Sequence, residues 1–436
     1  MLFRSLTGKT VTLPAGVGGH ASGTEANRPA APAIGTIYFN TDEDTLQQYT
    51  SAGWESIGLA QPAISSVSGT IYNTIASNLT ISGAAFGVAA TVRFAYGGST
   101  SDVVVTPTSD TEITVAVPSA VYNQAVGTSV TIAVIVGGQI SNGSSKTVQE
   151  VPTGGTITTF GVYRIHAFTS SGTFTVPSGI TLNSVYVAIV AGGGSGAHGG
   201  GGAGGVLTQT LSPISSNSYP INVGSGGPGG SSPANGTNST AFGYTAIGGG
   251  VGGNGRFGSG SGGGSGGGAS FDLESTSSGG GPGTQGQGNR GGHGSGGGAN
   301  AAASGGGGAG GIGGAGSPTG IGLISGTEPR YGGKGGDGGP GIDLSGFIGT
   351  TLGEFGWFSG GGGGGSNINQ DMVAELPPGG QGGGGDGSTT SSGTNQAGTA
   401  GTQNTGGGGG GGDPEVDTSS FRGGGSGIVI VRYQLT

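Results

Sequence analysis

Four histidines stand at His20, His166, His198 and His293. Imidazole nitrogens are good zinc ligands, but structural and catalytic zinc sites need three or four donors brought together. These four are widely spaced, so a zinc site requires a tertiary coincidence, and separate surface or core histidines are expected instead. The chain has no cysteine, which removes disulfides, thiolate nucleophiles and Cys-held metals. The stretch Asp413-Pro-Glu-Val-Asp417 gathers three carboxylates, the hard oxygen donors that divalent cations take. A solvated acidic loop accounts for it equally, and no metal is expected. Gly263-x-Ser265-x-Gly267 has the form of a hydrolase nucleophile elbow but sits in low-complexity sequence without partner residues. Thr7-Gly-Lys-Thr10 has the end of a phosphate-binding loop, with Phe3 where the first glycine is needed. The many G-x-G-x-x-G matches lie in no strand–turn–helix unit, which speaks against dinucleotide binding. The run 332–343, GGKGGDGGPGID, loosely has the look of a calcium-binding nonapeptide but is not repeated in tandem. No constellation for turnover emerges, so neither an enzyme nor a cofactor is expected.

The aromatics carry a sharper possibility. Phe355, Trp357 and Phe358 are concentrated in GEFGWFSGGGGGG, and Phe271 and Tyr331 stand alone among glycines. Aromatic rings stack on sugar faces and anchor protein interfaces; core packing or contact between copies also accounts for them. These five are the candidate receptor-binding residues.

Only 8% of the 436 residues are charged, and the net charge is −9, which argues against nucleic acid or an anionic membrane as partner. No apolar run approaches the ~20 residues of a membrane-spanning helix, so no membrane insertion is expected. The stretch MLFRSLTGKTVTLPAG lacks the apolar core of a secretory signal. An exposed, sheet-rich protein without an export signal fits a virion component released by lysis; nonclassical secretion or a trimmed chain fits too.

Glycine divides the chain. Residues 1–190 hold 22 of the 115 glycines, and residues 191–436 hold the other 93. In residues 1–60, GTIYFNT reads as a strand ending at turn residues, and TLQQYTSAGWESI as a second strand broken at Gly53. Tyr38, Phe39, Tyr49 and Trp54 would form an aromatic cluster in this hairpin, as a small core or as a docking surface. The ordered pattern Arg28, Pro29, Pro32, Gly35, Tyr38 to Asp42, Leu46, Tyr49, Gly53 and Trp54 resembles a module of tailed-bacteriophage fibre and tail proteins. The resemblance implies attachment to a virion, with Phe3, Tyr38, Phe39, Tyr49 and Trp54 as candidate contacts.

Residues 61–150 carry short alternating strands, NLTISG, ATVRFAY, DVVVTPTS, EITVAVP and SVTIAVIVGG, separated by turn residues. Such spacing predicts a β-sandwich. Pro62, Ile64, Leu79, Ile81, Gly83, Phe86, Val92, Phe94, Ile113, Val117, Pro118, Val130, Ile132 and Val134 follow an order that resembles an IPT/TIG-type immunoglobulin-like domain. The resemblance implies a spacer or interaction platform with those residues in core and turn positions.

Residues 151–436 open with strands leading to the apolar run Val185–Ala191 and end with SGIVIVRYQLT. Lone strands are unstable, so both runs need partners. If they share one sandwich, everything between is an excursion that leaves and returns. A structureless loop of that length inside a compact domain would be exceptional, and apolar islands (YPINVG, TAIGGG, GIGLISG, IDLSGFIG, EFGWF) recur through it. Collagen needs glycine at every third position and abundant proline, which GGGASFDLESTSSGGG and 19 prolines do not supply. The remaining solution is bundled polyproline-II-type glycine helices, with three residues per turn and no internal hydrogen bonds. Ser, Asn and Ala are expected on their outward positions. The opening strand, the VAGGG transition and the terminal SGIVIVRY resemble the glycine-rich domain of phage tail-fibre proteins.

The expected fold class is therefore all-β: an N-terminal hairpin module (1–60), an Ig-like sandwich (61–150), and a sandwich scaffold carrying bundled polyglycine-II helices (151–436). The expected function is that of a bacteriophage fibre, a homotrimer exposed on the virion. It would bind other virion proteins through its N-terminal region and a host surface glycan or outer-membrane protein through its glycine-rich domain. A purely structural decoration or neck fibre and a bacterial surface adhesin remain alternatives. A polysaccharide depolymerase would show acidic pairs on a long β-helix, which the sequence lacks.

Overall fold

The computed structural model describes residues 21–30, 32–40, 45–56, 61–255, 258–270, 278–294, 302–317, 321–322, 330–368, 376–391, 394–412 and 421–435. The chain divides into two compact units, up to Val151 and from Pro152 to Leu435. Both are β-rich; the described helices are single turns. No described helix is long and apolar enough to cross a membrane.

The first unit begins with a four-stranded sheet, β1 (Ala21–Gly23), β2 (Ile37–Asn40), β3 (Thr45–Thr50) and β4 (Gly53–Ser56), in that order. This corrects the simple hairpin expected there. β1 adds a parallel strand beside β2, and the supposed second strand is two strands folded back at Gly53, whose φ of 113° only glycine takes readily.

Next come β5 (Ala63–Ser68), β6 (Ile71–Tyr72), β7 (Asn78–Ala84), β8 (Ala90–Tyr96), β9 (Ser99–Val105), β10 (Glu112–Ala116), the turn α1 (Ser119–Tyr122), β11 (Ser129–Val136), β12 (Gln139–Ile140) and β13 (Ser144–Gln149). Sheet β10-β7-β5 and sheet β6-β13-β11-β8-β9, with β12 beside β11, enclose one core. Leu79, Ile81, Phe86, Val92, Phe94, Ile113, Val130, Ile132 and Val134 are all fully buried in it. β8 alternates buried and half-buried residues along its length, the signature of a strand with one covered face. The sequence pattern gave no sign of β13, whose single fully buried residue, Val148, leaves it mostly polar.

The second unit is built on a sheet of β14 (Thr156–Phe160), β15 (Tyr163–Phe168), the C-terminal strand (Ile428–Tyr433), β17 (Val185–Val190) and β18 (Val206–Leu211), in that order. A second sheet contains β16 (Gly172–Val176), β19 (Asn217–Asn222), β20 (Ser239–Ala241) and β21 (Tyr244–Ala246). β17 pairs along its whole length with the C-terminal strand, Val185 opposite Tyr433 and Val190 opposite Ile428. The two apolar runs flanking the glycine-rich region are thus adjacent strands, and the region is an excursion from the sheet and back.

Both strands are apolar at consecutive positions because both faces of their sheet are covered. Ala188, Val190, Ile428 and Ile430 pack with Leu344, Ile348 and Phe358 from the island that carries α2 (Ser345–Ile348). Alternation sends Val185, Val187 and Ile189 to the other face, and each is buried. On that face His166 stands edge-on to Phe174 of β16 and stacks on Tyr433. β14 is an edge strand with all five residues exposed.

The glycine runs hydrogen-bond sideways with a period of three. Along residues 192–197, Gly192 and Ser195 donate N–H groups to Thr237 and Ala234; Gly193 and Gly196 to Gly425 and Arg422; Gly194 and Ala197 to Gly202 and Gly199. On the returning run, Gly199, Gly202 and Gly205 donate to Gly253, Gly250 and Ile247; Gly200 and Ala203 to Ser304 and Gly307; Gly201 and Gly204 to Gly409 and Gly406. Each run therefore addresses three neighbours in rotation, the repeat of an extended helix with three residues per turn.

Spacing between runs leaves no room for side chains at most positions. A Cβ on Gly201 would lie 2.1 Å from the Gly194 carbonyl oxygen, and one on Gly408 2.0 Å from that of Gly201. The expectation that Ser and Ala face outward is corrected: Ser195, Ala197, Ala203, Ser265, Ala269 and Ser304 are wholly buried. Small side chains fill gaps between runs, and Ser195 Oγ donates there to the Pro228 and Ala234 carbonyls.

Gly201→Ala is expected to destabilise the second unit by about 3 kcal/mol, the upper range for overpacking, because the obstacle is fixed backbone. Gly346→Ala in α2, where nothing lies within 4 Å of the added Cβ, is expected to be neutral or slightly stabilising. Thermal melting of the two variants beside the parent checks both.

Candidate functional site

The lattice has two ends. At the sheet end, Ala191 donates to Gly205, Gly406 to Ser426 and Gly427 to Gly224. At the far end the chain reverses at His198, where Ala197 donates to Gly199. Gly253 accepts from His198 and Gly199, Gly365 donates to His198, and Gly412 donates to Ala197. Gly253, Gly365 and Gly412 therefore share the far level. Ser270 donates to Gly258, and Gly294 to Ser278, so these four residues lie together near that level. Turns at the sheet end are tight: Gly288 donates to Thr284, and the Thr405 hydroxyl to the Thr402 carbonyl.

The candidate residues separate between these ends. Phe271 lies outside the described residues. Tyr331 is in the strand Arg330–Gly333, which pairs with Ser366–Ile368 at the far end. Trp357 and Phe358 form a strand against Ile342–Asp343 at the sheet end. Phe358 is wholly buried in the core under β17, and a ring with no exposed surface meets no receptor, so it leaves the candidate set. Trp357 is half-buried, whereas Phe355 is 78% exposed at a φ of 52°. The four candidates among the described residues are thus not assembled into one site.

Sequence reasoning missed what holds their island in place. Phe347 stacks on Tyr186 at 4.8 Å, and Arg432 lies 3.9 Å above Tyr163 while donating to the Phe347 carbonyl. Glu354 accepts the N–H groups of Gly382 (2.5 Å) and Gly383 (2.7 Å), a carboxylate held in a concavity of successive backbone amides. An isolated glutamate beside a glycine run carries no signal of that contact.

Of the N-terminal candidates, Phe3 lies outside the described residues, and Phe39 sits in β2. Tyr38, Tyr49 and Trp54 meet as a cluster, with centroids 5.7 Å (Tyr38–Trp54) and 5.4 Å (Tyr49–Trp54) apart. Tyr38 is buried and donates to the Thr24 carbonyl, Trp54 Nε1 donates to the Pro29 carbonyl, and the Arg28 guanidinium lies 5.8 Å from the Trp54 ring. Arg28, Pro29, Tyr38, Tyr49 and Trp54 of the ordered motif are therefore mutual neighbours.

The chemical candidates do not converge. Among the described residues no three His, Asp or Glu side chains stand close enough to hold a metal. Asp413–Asp417 and His20 lie outside the described residues. Ser265 is buried between glycine runs, and its hydroxyl has no partner there. His293 pairs with Arg290 at 2.6 Å. His166 and His198 are both buried, which pushes each imidazole down to about 4. For His166 a bond to the Gly154 carbonyl opposes that shift and Arg164 adds to it. Nδ1–H of His166 donates to Gly154, so Nε2 accepts from the Tyr433 hydroxyl. Nδ1 of His198 accepts the Gly255 N–H at the far turn, and its ring meets Phe421 edge-on.

A family model described as a glycine-rich domain matches residues 167–434, more than half of the chain. The chain belongs to this glycine-rich domain family. The match begins in β15 and ends after the C-terminal strand, so it takes in the sheet as well as the lattice. Among solved structures, the FN1–FN3 domains of chicken CNTN1 are similar at 13% identity, covering 41% of this chain and 66% of that chain, with a TM-score of 0.17. That score is too low to bear on the fold. Comparison with curated proteins finds no match.

Acid is expected to weaken the second unit. Between pH 6.5 and about 4 the unfolded histidines bind protons that the folded ones refuse, so stability is full above 6.5 and falls with pH through that window. The loss is about 2–3 kcal/mol per histidine by pH 4.5. Melting temperatures of His198→Gln and the parent at pH 7.5 and 4.5 check this: the variant's acid-induced drop should be smaller.

Proposed function

We propose that this chain is a bacteriophage fibre protein that adsorbs to a host surface glycan or outer-membrane protein through the far end of its glycine lattice. The supporting observation is that the described runs ending near Gly253, Ser270, Gly365 and Gly412 reach one level, opposite the sheet. A rigid body that gathers its connections at one end suits a surface that must vary at the tip without disturbing the scaffold. The glycine runs act as a polyglycine-II-type bundle, stiff because neighbouring backbones satisfy one another. Residues 61–150, an IPT/TIG-like sandwich in this reading, act as a spacer. The aromatic module at the N-terminus docks to virion proteins, and three copies assemble into the fibre. Binding, without turnover, is the function, and the virion its location.

In this reading Phe271 and Tyr331 contact the receptor, while Phe355 at the sheet end does not. Labelled protein incubated with a panel of bacterial strains is expected to bind at least one of them. Phe271→Ala combined with Tyr331→Ala should reduce that binding at least tenfold at unchanged melting temperature, and Phe355→Ala should leave it within twofold. Failure to bind any strain, or equal binding by the double variant, would overturn the assignment.

A further inference from the structure

An open groove of about 650 Å³ lies at the second sheet, along the end of β18, β19 and the turn joining β20 to β21. That size falls within the range of small-molecule sites. Tyr219, Phe242 and Tyr244 supply aromatic surface, and Thr210, Thr240 and Thr245 supply hydroxyls. Its thirteen lining residues include no Asp, Glu, Lys or Arg.

The turn itself is unusual. Phe242 and Gly243 form a two-residue hairpin turn with φ of 52° and 82°. Turns with both central residues at positive φ favour Asn-Gly or Gly-Gly, and a bulky side chain at the first position is disfavoured. Phe242 nevertheless stands there, its ring 5.0 Å from Tyr219 and 6.0 Å from Phe174. The ring makes a half-buried floor that an asparagine would not, while Tyr244 remains 37% exposed beside it. Backbone strain retained at a concave surface is the pattern expected of a ligand site. Two of the polar groups are already oriented. Thr240 Oγ1 accepts from Asn222 Nδ2, and the Tyr219 hydroxyl donates to the Ser215 carbonyl, which leaves its oxygen to accept.

We propose that this groove binds a neutral saccharide. A pyranose presents C–H groups on its faces and hydroxyls at its edges. The faces match aromatic rings, and the edges match threonine and tyrosine hydroxyls, each of which both donates and accepts. A charged sugar or acidic peptide would find no counter-charge among the lining residues. The groove is separate from the far end of the lattice and does not depend on the adsorption reading.

Saturation-transfer NMR with maltohexaose, cellohexaose and a mannan oligosaccharide, beside an oligogalacturonate, tests the proposal on the full chain. Transfer to ring protons of at least one neutral sugar and none to the oligogalacturonate is expected. Tyr244→Ala should reduce the transfer at least fivefold at unchanged melting temperature. Phe242→Asn, which suits the turn better, should match or exceed the parent's melting temperature yet lose transfer to the same degree. No transfer to any neutral sugar, undiminished transfer in Tyr244→Ala, or undiminished transfer in Phe242→Asn would each overturn it. Tyr244→Ala should still bind cells in the adsorption experiment, so failure of one proposal is distinguishable from failure of the other.

Discussion

The second unit depends on one constraint: backbones without side chains lie close enough to pair their amides with neighbours on three sides. Ordering a residue costs about 1–2 kcal/mol, and a hydrogen bond returns only about 0.5–1.5 kcal/mol net. Glycine buries no side chain to make up the difference, so an isolated run has nothing to hold it. Close approach adds Cα–H···O contacts of about 0.5–1 kcal/mol each in favourable geometry, and these exist only when every neighbour is in place. The lattice is therefore cooperative, and it needs an anchor that forms independently of it.

That anchor is the sheet. β17 and the C-terminal strand, paired in full register and covered on both faces, join the start and finish of the excursion. The apolar island around α2 belongs to the same device. Although it interrupts the glycine runs in sequence, Phe358, Leu344 and Ile348 fold back under β17, Phe347 stacks on Tyr186, and Glu354 holds the adjacent glycine turn. The runs are thus tied down at the sheet end and leave the opposite end to carry connections.

The two groove-like or tip-like surfaces have different origins. At the far end, position comes from lattice length, since the runs ending near Gly253, Gly365 and Gly412 meet the His198 turn at one level. In the groove, position comes from a strained hairpin turn whose aromatic floor is fixed by Phe174 and Tyr219. The groove lining carries no Asp, Glu, Lys or Arg.

Much of this was legible in residue patterns. Alternation marked β7, β8, β10 and β11, and nearly every expected sandwich core position is buried. The apolar runs at Val185–Val190 and Ile428–Val431 announced strands that need partners, and the structure pairs them with each other. Gly53, read as a break, opens β4 just after the Ser51–Ala52 turn, at a φ that only glycine takes readily.

Tertiary structure alone decided the rest. A glycine run reads alike in either direction and at any offset, so nothing local pairs Gly193 with Gly425 or Gly201 with Gly409. Partners hundreds of residues apart are chosen by the sheet that fixes where each run begins. For the same reason, sequence grouped Phe355, Trp357 and Phe358 with Phe271 and Tyr331 by their glycine surroundings, while packing buried Phe358 and set Phe355 and Trp357 at the opposite end from the strand of Tyr331. Composition specified the kind of contact; the anchoring strands specified which backbones would make it.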